Sequence, residues 1–337
     1  MYGKVEARMA TKAKTKAPKT PTKTKGSKTL TINNNPTMKK IWKSRYLFAF
    51  LLPCFVLTVI FSYAPLYGLI GAFQDYNPFK GFSGSKWVGW KNFQYLLKLP
   101  DIKRTLINTV RIGVVEFIFG FPAPIILALM INEVRSKAFK RISQTLSYIP
   151  NFISWVVCAG LFGALLGGTG PVNDILIAIG LRDEPIYFFN EPSIFTPLAV
   201  GAGIWKGVGF GSILYLAALT AISPELYESA QLDGASKIQQ LWHISIPGIM
   251  PTIALQLVLS LASILSVSFD KIYNMQNTMN ISASDTIDTY IYRIAMHGAI
   301  KDYSRGLALG LVRGVVCFVL FIIANRTSKK IGIGSAV

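Results

Sequence analysis

The sequence predicts an all-α membrane protein with six transmembrane helices. Two observations carry this expectation. About half of the 337 residues are apolar, with a positive mean hydropathy, and the apolar residues gather in long windows almost free of charge. Such windows exceed the roughly 18 residues at which a bilayer span becomes the default reading. Spans are expected near 47–70, 106–131, 146–167, 194–219, 250–269 and 304–324, giving one membrane domain over 46–326.

Ahead of the first span, residues 1–45 hold thirteen Lys or Arg against the single acid Glu6. The stretch "ATKAKTKAPKTPTKTKGSKTLTINNNP" has no apolar face to bury and is expected to be a disordered basic tail. No aromatic residues interleave with its charges, which argues against a single-strand nucleic-acid platform. Anionic lipid, or simple retention of the N-terminus in the cytoplasm, suits it better. Nor does it read as a cleavable signal, because the apolar run starts too late and is too long.

Orientation follows from basic residues near span ends. With the N-terminus inside, thirteen of these face the cytoplasm, among them Arg135, Lys137, Lys140, Arg141 and Lys237, against nine outside. The bias places both termini, including the tail over 327–337, in the cytoplasm. It also puts the polar segment between spans four and five there.

That segment, "SPELYESAQLDGASKIQQLWHISIPGIMP" over 223–251, reads as two short helices. Ser223 can cap the first, with Pro224 at its first position and Glu225 beside the positive end of the dipole. Asp233-Gly234 should stop it, since glycine takes the left-handed turn without a Cβ penalty. Ser236 and Gln239 offer a capping box for the second, which is expected to end before Pro247. Ile238, Leu241, Trp242 and Ser245 form a stripe that can face the body of the protein. Physics alone leaves two readings: a docking knob, or an amphipathic hairpin lying in the membrane interface.

Three cysteines, Cys54, Cys158 and Cys317, fall singly in separate spans, and His243 and His297 stand far apart. Neither a disulfide framework nor a metal site follows. No G-x-x-x-x-G-K-[ST] occurs, and "GALLGGTG" lacks the lysine, so no nucleotide cofactor is expected on this chain.

Ionisable groups at membrane depth are functional candidates by default. Glu116, Lys206 and Asp270 can line a hydrated path, or else form interhelical ion pairs and snorkelling contacts; Lys271 and Arg313 sit nearer span ends. Sugar rings stack on aromatic faces, so Tyr148, Asn151, Trp155, Trp205, Tyr215, Tyr273 and Asn274 are candidate cavity residues. An interfacial aromatic belt would supply similar residues.

Glu228-Ser229-Ala230, then Asp233-Gly234-Ala235, then Ile244-Ser245-Ile246-Pro247 resembles the EAA loop of binding-protein-dependent ABC importer permeases. The resemblance extends to "APLYGLIGAFQDYNPFKGF", "SKWVGWKNF", "SYIPNFISWVV", "IWKGVGFGSILYLAAL" and "DTIDTYIYR", which are similar to the carbohydrate-permease branch, especially permeases for oligosaccharides of plant or algal polysaccharides. It covers residues 45 to 326.

This likeness implies the six-helix type I importer (MetI-like) fold in a bacterial inner membrane, with the loop as coupling helix. Glu228 would contact the ATPase, Gly234 form the elbow, and Pro247 lead into span five. Ser229 and Ile246 depart from the usual alanine and leucine, conservatively in volume. The implied partners are two ATPase subunits using ATP and Mg, a second permease, an external sugar-binding protein and a sugar substrate. An ion-gradient-driven carrier is the alternative; it would predict paired interrupted spans, whereas "FGFPAP" at 119–124 has no counterpart. A membrane enzyme would need a clustered constellation that is absent here.

Overall fold

The computed structural model describes residues 44–297 and 302–330. The expected basic tail lies outside the described residues except for Ser44 and Arg45, and so do residues 331–337. Among the described residues six helical stretches are long and apolar enough to cross a membrane: Arg45–Phe73, Pro100–Glu133, Trp155–Ala178, Pro192–Thr220, Lys237–Ala262 and Tyr303–Ile323. The chain divides into two units, 1–61 and 62–337.

In the first unit α1 (Arg45–Thr58) carries apolar side chains all round and buries none of them. A helix of this kind has no wet face, and lipid is its natural surrounding.

The second unit opens with a 3-10 stretch, Ala64–Phe73, followed by a short antiparallel hairpin. Its strands are β1 (Gln74–Asp75) and β2 (Lys86–Trp87), with Gln74 opposite Trp87. Phe73 stacks on Trp87 and meets Trp90 edge-on, which ties the hairpin to α2 (Lys91–Lys98).

Span two is α3 (Pro100–Gly120) followed by α4 (Pro122–Glu133), interrupted at Phe121 because Pro122 has no N–H to continue the ladder. It starts before residue 106, since Thr105, Asn108 and Thr109 are buried against a polar segment of the chain rather than left in water. Asn108 donates to the carbonyls of Ser282 and Asp285.

Residues 146–167, expected as one span, straddle a break. α5 (Lys137–Tyr148) passes through a 3-10 turn, Ile149–Phe152, before α6 (Trp155–Leu166) starts afresh under a Ser154 cap. Pro150 removes a donor at that point, and Ser154 accepts from Val157 N to begin again. α7 (Pro171–Ala178) completes this region.

Span four, α8 (Pro192–Thr220), is the central helix. Phe195, Ala199, Val200 and Ala202 enter one core with Ile112, Ile272 and Met275; Tyr215, Leu216 and Leu219 enter another with Ala128, Ile131 and Ile249. Gly209 permits close approach to α5, because a Cβ there would lie 1.9 Å from the Ser147 carbonyl oxygen.

After α9 (Pro224–Leu232) and α10 (Lys237–Gln240), a π-helical turn over Leu241–Ser245 leads into α11 (Ile246–Ala262). The chain then forms α12 (Phe269–Met275), α13 (Ile281–Ser284) and α14 (Ile287–Tyr292). Asp285 is fully buried here and is held by Arg293, whose Nη2 lies 2.6 Å from Oδ2. Span six, α15 (Tyr303–Lys330), carries Arg313, which pairs with Asp288 of α14.

Candidate functional site

Two places concentrate the candidate residues: the elbow between spans four and five, and a cleft among spans two, four and five.

At the elbow, α9 ends at Asp233 and Gly234 takes φ +79. That is the left-handed conformation which costs an L side chain about 1–2 kcal/mol. The capping box forms as expected: Gln239 N donates to Ser236 Oγ at 3.3 Å, and Ser236 N donates to Gln239 Oε1 at 2.7 Å. Ser223, by contrast, makes no side-chain cap. The two arms are pinned by Tyr227 Oη and Ser245 Oγ at 2.9 Å. A further tie runs to the end of span two, where Lys237 Nζ lies 3.3 Å from Glu133 Oε2.

The second arm differs from its sequence pattern in two respects. It does not end before Pro247 but runs on to Ala262, because the wider π turn at Leu241–Ser245 precedes the proline. Of the stripe expected inward, Ser245 is buried and Leu241 half-buried, whereas Ile238 and Trp242 are exposed and Gln240 is buried instead. The Gln240 amide donates to the Ala235 carbonyl, closing the inside of the elbow.

Glu228, Ser229 and Asp233 are exposed on the first arm, and Ala230 and Ala235 are half-buried. Glu228 lines a hollow with Asn132, Thr220, Tyr227 and Gln231. Gly234, Ala235 and Ile244 line a second hollow of about 300 Å³ on the inner side of the bend. Ile246 and Pro247 begin α11.

The cleft has a volume of about 380 Å³. Glu116, Gly120 and Pro124 line it from span two, Gly203 and Gly207 from span four, and Ser260, Ser263, Ser266 and Ser268 from span five and its extension. Residues 263–268 are not helical, and open backbone at membrane depth is tolerated where it lines such a cavity. The Glu116 carboxylate accepts from Lys271 Nζ at 2.6 Å. Lys271 is 1% exposed and Glu116 35%, so the cation is sealed in protein and the anion borders the opening.

Span four glycines make this possible: a Cβ on Gly203 would sit 3.1 Å from Glu116 Oε1 and 3.2 Å from Lys271 Nζ. Gly113 lets the Ile264 carbonyl approach to where its own Cβ would be, 2.0 Å away. The result is a pocket in which apolar side chains such as Phe117, Phe121, Ile204 and Val267 alternate with serine hydroxyls and one carboxylate edge, a mixed lining of the kind that small-molecule sites use.

Of the candidate path residues only Glu116 is on the cleft wall; the structure places the others elsewhere. Lys206 is buried on the other side of span four, donating to the carbonyls of Pro150 (3.3 Å) and Asn151 (2.7 Å), with its ammonium 5.6 Å from the Trp155 ring. Tyr148 precedes that 3-10 turn. Trp205 meets Phe162 edge-on, and Tyr215 is sealed in the core beside Leu216. Asp270 and Tyr273 are exposed on α12, where Asn274 Nδ2 donates to the Asp270 carbonyl and Tyr273 stacks on Phe269. Sequence reading missed the four serines and the role of Lys271, whose proximity to Glu116 depends on the tertiary fold.

Residues 120–333, more than half of the chain, match the family model described as "Binding-protein-dependent transport system inner membrane component". Protein LplB of Bacillus subtilis (strain 168) is 38% identical over 294 residues, spanning 87% of this chain and 91% of that protein. The polygalacturonan/rhamnogalacturonan transport system permease protein YteP of the same organism is also 38% identical, spanning 87% and 90%. Among solved structures, the chain is similar to a bacterial ABC transporter involved in the import of the acidic polysaccharide alginate, with TM-score 0.79 and 40% identity over 88% of this chain and 99% of that one. A bacterial alginate ABC transporter in complex with an alginate pentasaccharide-bound periplasmic protein gives TM-score 0.80 and 40% identity over 89% of this chain and 99% of that one. With its six apolar spans, the chain belongs to the family of binding-protein-dependent transport system inner membrane components, as a multi-pass permease of the ABC type.

Proposed function

We propose that this permease imports oligosaccharides of acidic polysaccharides, driven by ATP hydrolysed on two partner ATPase subunits. A second permease completes the pore, and an external binding protein delivers the sugar. The substrate class is supported by the acidic polysaccharide that the similar solved transporter imports and by the polysaccharides named for YteP. No nucleotide, Mg or other cofactor binds this chain; ATP and Mg belong to the partner.

The observation that carries the coupling role is the elbow. Gly234 at φ +79, the capping box at Ser236 and the Tyr227–Ser245 clasp make a preformed, outward-pointing bend. Glu228 and its neighbours Ser229, Ala230 and Asp233 are the surface that the ATPase grips. Gly234 and Ala235 set the bend, and Ile244, Ile246 and Pro247 carry it into span five. Both termini and the elbow face the cytoplasm, in keeping with the excess of basic residues at that end. ATP binds the closed ATPase dimer more tightly than the open one, and this difference shifts the bundle between inward- and outward-facing states.

Sugar passes by this cleft, where its hydroxyls donate to Glu116 and exchange hydrogen bonds with the serines. Tyr148, Asn151, Trp155, Trp205, Lys206, Tyr215, Asp270, Tyr273 and Asn274 stand off the cleft wall, and their part in the path would be to position the spans that form it. The test is uptake by the complete complex in sealed vesicles holding ATP, offered uronate-containing and neutral oligosaccharides. ATP-dependent accumulation of the uronate oligosaccharide is expected. Uphill transport by this chain without an ATPase, or a preference for the neutral sugar, would overturn the reading. Glu228→Lys should reduce co-purification of the ATPase, and full retention would place that contact elsewhere.

A further inference from the structure

α5 (Lys137–Tyr148) is amphipathic in the inverted sense. Its apolar residues Phe139, Ile142 and Leu146 are 59%, 56% and 63% exposed. Its polar residues Ser143, Gln144 and Ser147 are the ones turned toward the protein. The packing against α8 is close, since Gly209 accommodates the Ser147 backbone. A helix in water buries its apolar stripe; one that buries the opposite face is surrounded by something apolar.

The helix starts in a cluster of cations. Arg135, Lys137, Lys140 and Arg141 fall within seven residues. Among the described residues none of them pairs with a carboxylate. The adjacent acid, Glu133, is engaged by Lys237 of the elbow. Lys137 and Arg141 stand one turn apart on the exposed side of the helix, with Ala138 and Thr145 between them and the apolar stripe, and long side chains there can hold their charges at headgroup level.

We propose that α5 and the turn before it form a docking surface for anionic phospholipid. Headgroups meet Arg135, Lys137 and Arg141, and acyl chains cover Phe139, Ile142 and Leu146. Charge complementarity selects the occupant: an apolar stripe alone would accept any lipid or a protein helix, whereas unpaired cations at its start favour a negative headgroup. The surface lies at the same end of the bundle as the elbow, through the Glu133–Lys237 contact.

The assembled transporter, purified in mixed micelles with equal phosphatidylglycerol and phosphatidylcholine, tests this by native mass spectrometry of retained lipid. Phosphatidylglycerol should be retained in excess, and Lys137→Gln with Arg141→Gln should lower that excess roughly fivefold for each charge removed. The conservative pair Lys137→Arg with Arg141→Lys should keep it, which separates loss of charge from misfolding. A nitroxide on Ile142→Cys, with Cys54, Cys158 and Cys317 replaced by alanine, should relax with oxygen and not with a water-soluble nickel chelate. Equal retention of the two lipids, retention indifferent to the glutamines, or a nitroxide shielded from both relaxants by a covering subunit would each overturn the proposal.

Discussion

Lys271 and Glu116 lie 155 residues apart in sequence and meet at 2.6 Å, joining the extension of span five to span two. Their exposures are unequal, so the two sides of the pair carry different penalties when broken. Glu116→Ala would strand a sealed ammonium and should destabilise the protein by about 3–5 kcal/mol. Lys271→Met leaves a carboxylate that the cleft can hydrate, and should cost less. Thermal unfolding of the purified permease complex measures the order; equal losses would mean that water reaches Lys271.

Gly234 has open space where a Cβ would go, so its requirement is conformational rather than steric. Gly234→Val should strain the turn and abolish sugar-stimulated ATP turnover in the assembled complex. Gly234→Asn should recover much of it, because asparagine tolerates the left-handed region. Equal activity of the valine and asparagine variants would remove the φ argument.

Lys206 closes two carbonyls at the break between α5 and α6. Lys206→Met preserves volume but leaves those acceptors without their donor, at about 1–3 kcal/mol. Limited proteolysis near 149–154 should become faster in reconstituted protein. An unchanged cleavage rate would show that water replaces the ammonium.

Ser236→Ala removes one half of the capping box and should cost about 1 kcal/mol in local stability. Amide exchange over 236–240 would register this as faster opening. No change there would mean that the Gln239 half alone suffices.

The count of six spans was legible because bilayer thickness imposes a length that local composition reveals, although the third falls at Trp155–Ala178 and not over 146–167. The elbow was legible for a related reason: Asp233-Gly234 and the Ser236–Gln239 spacing are local chemical signals, and the structure forms both. Half of the expected stripe was legible, since Leu241 and Ser245 turn inward while Ile238 and Trp242 are exposed; at Trp242 the π turn adds one residue to the period, a shift that helical spacing does not announce. The break at Pro150 was visible as a proline but not as a discontinuity, since its repair needs Lys206 from another span. Lys271 and Asp285 were hidden for the opposite reason to the spans. Their segment is polar, reads as loop, and is nonetheless buried, because its hydrogen bonds are made within itself and to span two.

From Lys237 to Ala262 the second arm of the bend and span five are one continuous helical rod. At about 1.5 Å per residue it reaches nearly the full depth of a bilayer. One end is tied to Glu133, and the other gives way at Ser263, on the wall of the cleft. Torque applied at the bottom would therefore reach the cleft along a single shaft, with no intermediate gear to engage.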